Sequence, residues 1–199
     1  MKGLFYKDLL NLKTHFFYYA LEIAVFAAVS YFMENVYFFC GLMIFLSVGA
    51  TISNMQCDEV DGFEKFAVLS GISQKKLVGE KYLFSAFALL VSAALGAAMN
   101  LVMRSDKAGF FANAIYTFSA LLVIDVLYPL FFRYGVEKSR SLYVLIFAGT
   151  LLLAAASGFF IGGAEIDLAL LAAIFGISGV LFTAVSFALS VKILKSKEY

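Results

Sequence analysis

The chain has 199 residues, of which 63% are hydrophobic and 15% charged, with a mean hydropathy of +0.92 and a formal net charge of +1. That apolar content excludes a soluble fold, and the few charges do not make a nucleic-acid surface. A lone histidine, His15, excludes a multi-histidine metal site, and the absence of a GxxxxGK[ST] stretch excludes nucleotide hydrolysis through a phosphate loop.

The apolar runs are each about twenty residues long, the length at which a helix crosses a hydrocarbon core of about 30 Å. They are continuous, whereas barrel strands would alternate over ten residues. The chain therefore reads as an all-α polytopic membrane protein, one transmembrane domain over residues 1–199.

In chain order, Lys2–Phe16 comes first. Phe5, Leu9, Leu12 and Phe16 share an arc opposite Lys7 and Asn11, which predicts an N-terminal helix lying in the inner membrane interface with Lys2 and Lys13 snorkelling. Asp8 and the lack of a small-residue cleavage site argue that the first span, not a cleaved signal, directs insertion. Six spans follow: Phe16–Met33, Val36–Met55, Tyr82–Met103, Phe110–Phe132, Leu142–Ile161 and Leu168–Ile193. With both termini cytoplasmic, 13 of the 15 Lys and Arg fall on one side, leaving Arg104 and Lys107 outside.

Glu22 and Asp125 lie within spans, each roughly 10 Å from the cytoplasmic boundary. A carboxylate there must face protein or water, or be protonated. Two readings stand side by side: the pair lines an inward cavity that meets a cationic substrate group, or each is satisfied separately inside the bundle. Cys40 and Cys57 are separated by most of a membrane and cannot pair. Ala154, Gly158 and Gly162, spaced four residues apart in the fifth span, permit close helix packing, within the chain or across a two-fold axis.

Between the second and third spans, CDEVDGFEKFAVLSGISQKKLVGEKY (Cys57–Tyr82) carries Asp58, Glu59, Asp61 and Glu64, then Lys65, Lys75, Lys76 and Lys81. Val60, Phe63, Phe66 and Ala67 recur between the charges at helical spacing, predicting a short amphipathic helix. Gly71 can end it in a left-handed conformation and Ser73 can cap the next helix. Helix, tight turn, helix is the expectation. A helix lying on lipid headgroups would not carry four acids toward an anionic leaflet, so a protein partner is the better reading. Pro129, near the end of the fourth span, is either a fixed bend or a helix-end proline.

Three motifs then fix a resemblance: KGLFYKDLLNLK before the first span, DEVDGFEKFAVLSGISQKKLVGEKY after the second, and YPLFFRYGVEKSR closing the fourth. Their order resembles the membrane subunit of a type-2 ABC exporter. It is similar in particular to small six-span permeases related to those exporting phenol-soluble modulins, which are amphipathic bacterial peptides. The resemblance spans essentially the whole chain. It implies that the Asp58–Leu69 helix is a coupling helix docked in a groove of a separate ATP-binding cassette subunit. Contact would run through Glu59, Asp61, Phe63, Glu64 and Phe66, with Asp58 at the start. A second contact would come from the Arg133–Lys138 turn, with Arg133, Glu137 and Lys138. Family members usually have Pro where this chain has Gly71, which leaves the turn geometry open.

The resemblance further implies two copies of the ATP-binding subunit, a second permease copy or paralogue, and a location in the bacterial cytoplasmic membrane. ATP and Mg would sit on the partner, with no cofactor on this chain and no catalysis by it. An amphipathic peptide or other amphiphile would be exported by alternating access. Competing readings are an ion-coupled carrier or channel using Glu22 and Asp125, and a membrane scaffold that recruits a cytosolic protein.

Overall fold

Long apolar runs can satisfy their backbone in hydrocarbon as helices. The computed structural model describes residues 2–139 and 168–197, and it contains no strand among them. Its helices are α1 (Lys2–Phe32), α2 (Val36–Val60), α3 (Phe63–Leu69), α4 (Gln74–Val102), α5 (Lys107–Tyr134) and α6 (Leu168–Lys195), with residues 136–139 also helical. Five of them are long and apolar enough to cross a membrane: α1 over His15–Phe32, α2, α4, α5 and α6. The predicted fifth span, with Ala154, Gly158 and Gly162, lies outside the described residues.

Local chemistry sets the helix ends. The Asn35 side chain caps α2 by accepting from the Phe38 N–H at 3.3 Å. Gly71 takes φ +79 at the end of α3, as its freedom predicts. Ser73 occupies the N-cap position of α4, yet its side chain makes no capping bond, so only the placement half of that expectation holds.

Two expectations need correction. The predicted Asp58–Leu69 helix is broken, because Gly62 takes φ +62 and reverses the chain. Asp58 and Glu59 thereby end α2, and the helix that remains, α3, has seven residues. The separate interfacial helix is also absent: residues Lys2–Phe32 form one continuous helix. Its N-terminal turns present Asp8, which is fully buried, to the bundle, whereas Leu9 and Phe16 of the apolar arc are 38% and 70% exposed. Lys7, placed in water by the arc, turns toward the protein because Asp58 awaits it there.

Helix α1 packs on α2 and α4, and α2 on α4 and α5. The main apolar cluster, including Val48, Leu77, Val78, Leu127 and Phe132, also takes in Ala67 of α3 and Leu194 of α6. The most extensive described contact is between α5 and α6. In it Phe118 meets Gly176, Leu121 meets Gly179 and Asp125 meets Thr183, so both numbers rise together and the helices are parallel. Helices α4 and α5 instead run antiparallel, since Gly96 meets Asn113 and Lys81 meets Tyr128. Pro129 lies inside α5, which continues past it to Tyr134.

Candidate functional site

At one end of the bundle the start of α1, the end of α2 and the start of α4 converge on Lys81. Each helix brings an ionisable side chain to the same point. The Lys81 ammonium has three donors. It reaches Asp8 Oδ2 at 2.7 Å, Asp58 Oδ2 at 2.7 Å and Asn54 Oδ1 at 3.3 Å, and it is 3% exposed. Lys7 closes the arrangement, bonded to the other oxygen of Asp58, 3.0 Å from Asp8 Oδ1 and 3.6 Å above the Phe63 ring. Desolvation pushes the Asp8 carboxyl up, but the Glu80 carboxyl beside it and the charges of Lys81 and Lys7 outweigh that, so its pKa lies below the ordinary carboxylate value. The Tyr128 hydroxyl of α5 donates to the Lys81 carbonyl at 2.6 Å.

Helix α3 hangs from this junction. Ala67 is buried in the core, and Phe63 is half-buried between the core and Lys7. Glu64 pairs with Lys197 beyond α6 at 2.6 Å. Phe66 and Leu69 remain 65% and 67% exposed, with Val60 at the end of α2 79% exposed. Glu59 accepts from the Val136 N–H and lies against Gly135, tying the end of α2 to the turn after α5. Arg133, Glu137 and Lys138 on that turn are exposed. A groove between Glu59, Glu64, Lys65, Gly135 and Lys197 opens down to Asp58 and Lys81.

The predicted docking residues therefore divide. Asp61, Phe66, Arg133, Glu137 and Lys138 face outward at one end of the molecule. Asp58 is buried, with both oxygens bound by lysines of its own chain, which corrects its assignment to a partner surface. Glu59, Glu64 and Phe63 each hold an internal contact.

Glu22 and Asp125 do not share a site. Helices α1 and α5 are not in contact, because α2 and α4 lie between them. Glu22 is exposed on the outside of α1. Asp125 is buried between α5 and α6, where Thr183 Oγ1 donates to Oδ2 at 2.7 Å and Ser186 donates to its carbonyl. Tyr82 extends this polar seam through Ser186 at 2.6 Å and Ser190 at 3.1 Å. The two acids therefore occupy separate places and share no cavity among the described residues; Asp125 keeps Oδ1 buried without a hydrogen-bond partner there.

Sequence reasoning missed Asp8 and Glu80 as site residues and read Lys81 only as one of the lysines of the Cys57–Tyr82 stretch. A signal was present: Asp8 lies one residue from Lys7 in an apolar segment, and Glu80 adjoins Lys81 at the mouth of a span. Charges at such positions need partners.

A family model described as ABC-2 family transporter protein matches residues 3–195. No curated protein and no solved structure matches the chain.

Proposed function

The chain belongs to the ABC-2 family of transporter proteins, and from that premise we propose that it is the membrane permease of an ATP-driven exporter, energised by a separate ATP-binding subunit. It is a multi-pass membrane protein. The observation that carries the docking assignment is the exposed patch of Phe66, Leu69 and Val60 on and beside α3, at the same end as Arg133, Glu137 and Lys138. An exposed aromatic anchor on a short helix packed against α2 and α4 is what a groove on a moving partner could engage. The Glu59 bond to Val136 links the two cytoplasmic contacts, so that a push on α3 reaches α5 as well.

The positive-inside excess supports a cytoplasmic location for that end. Six spans are supported by the parallel pairing of α5 and α6, since the chain leaves α5 at one end and re-enters α6 at the other. Two permease copies with two ATP-binding subunits, working by alternating access, would complete the exporter, with ATP and Mg on the partner. The substrate class is an amphipathic peptide, on the strength of the likeness to permeases that export phenol-soluble modulins.

The test is co-purification from the native membrane with the tagged chain, followed by an ATPase assay. Phe66→Asp is a cleaner probe than any change at Phe63, because Phe63 also supports Lys7. An ATPase that accompanies wild type and is lost from Phe66→Asp, with the fold intact, supports the reading. An ATPase retained by the variant removes α3 as the docking site, and none in either sample removes the partner.

A further inference from the structure

The junction of α1, α2 and α4 contains one carboxylate more than its lysines can balance. Lys7 and Lys81 face Asp8, Asp58 and Glu80. Glu80 is 1% exposed, and neither of its oxygens receives a hydrogen bond among the described residues; Oδ1 of the fully buried Asp8 has only the Lys7 ammonium at 3.0 Å. Lys81 cannot supply the missing donor: it stands 3.7 Å from Glu80 Oε2, and its three N–H groups already point at Asp8, Asp58 and Asn54. A buried carboxylate without donors is among the costliest groups a protein can hold, and one proton removes both the charge and the missing bond.

We propose that this junction is a binding site for a single proton, held by Glu80 and donated to Asp8, and that α1 stays seated on α4 only while the proton is bound. Asp8 keeps its negative charge and serves as acceptor. Tyr128, which also lies against the junction, is already committed as a donor to the Lys81 carbonyl. The groove that reaches Asp58 and Lys81 from the α3 side gives water a route to the site. Loss of the proton would leave two adjacent buried carboxylates with one net charge between α1 and α4, at the point from which α3 is suspended. The inference uses this chain alone, so it stands or falls independently of the ATPase partner.

The experiment is thermal unfolding of the full chain in detergent across mildly acidic to alkaline pH, wild type against Glu80→Gln, with infrared spectra of both. A site that binds a proton in the folded state loses stability as pH rises from the ordinary glutamate range through the folded pKa. Wild type is expected to show that alkaline fall, and Glu80→Gln to abolish it while being at least as stable at neutral pH. A protonated-carboxyl band at neutral pH should be present in wild type and missing from the variant. Carbon-13 labelling of glutamate in wild type should shift the same band, a reading that does not depend on the variant folding. An unshifted band, or a less stable variant that keeps the alkaline fall, would overturn the proposal. So would stabilisation of wild type, but not the variant, by sodium chloride over choline chloride at equal ionic strength, which would assign the site to a metal cation.

Discussion

The two ends of the α4–α5 pair are built on opposite principles. At the α3 end, Lys81 and Tyr128 join the helices within a cluster of full charges drawn from α1, α2 and α4. At the other end the contact is neutral and close: the Asn113 amide lies over Gly96 and donates to the Ala93 carbonyl at 2.9 Å, while Asn100 lies over Gly109 and donates to the Gly96 carbonyl at 2.9 Å. A Cβ on either glycine would collide with the asparagine oxygen. The neutral contact itself contains no titratable side chain. The charged end responds to any group that enters or leaves it, and it is the end from which α3 projects. A permease driven from one side, as proposed above, could use that asymmetry as a pivot at one end and a responsive joint at the other.

The largest effect should come from Lys81→Met. Removing the ammonium strands Asp8 and Asp58 in a buried site, and breaking a buried ion cluster from one side costs about 3–5 kcal/mol. Thermal unfolding in detergent reads this loss, and adding Asp8→Asn to the variant should recover part of it. Full additivity of the two changes would mean that the charged end is not one unit.

Gly96→Ala comes next, at about 1–3 kcal/mol for forcing Asn113 out of the crossing. Its effect should be the same at low and high salt, and a salt-dependent loss would contradict the neutral character of that end. Lys197→Ala should matter least. Its pair with Glu64 is partly exposed, and such pairs contribute about 0.5 kcal/mol, diminishing with salt. A loss as large as that of Lys81→Met would place the rim of the groove, rather than its floor, in control of α3.

Five of the six expected spans and the tight turn between α3 and α4 were legible in residue order. Length, apolar content and the left-handed preference of Gly71 are local properties, and they act the same way whatever surrounds them. The break at Gly62 was not legible, because a glycine within a helical pattern can continue or reverse it, and here Phe63 and Ala67 had to turn into the core. The fate of the four acids was equally hidden. Asp58, Glu59, Asp61 and Glu64 form one run in the chain, yet two lysines, a backbone N–H, solvent and a C-terminal lysine receive them in turn.

The N-terminal helix is the clearest instance of where residue order stops. Its amphipathic arc was real, but which face turned inward depended on what stood opposite. Beside lipid the apolar side gains nothing by facing protein, while a charge must find a partner. Membrane character and the identity of every charged group follow from the chain read locally. That Asp8 meets Lys81 across 73 positions, that Glu80 lacks a donor and that α5 runs parallel to α6 follow only from the assembled bundle, because each depends on which helices are neighbours.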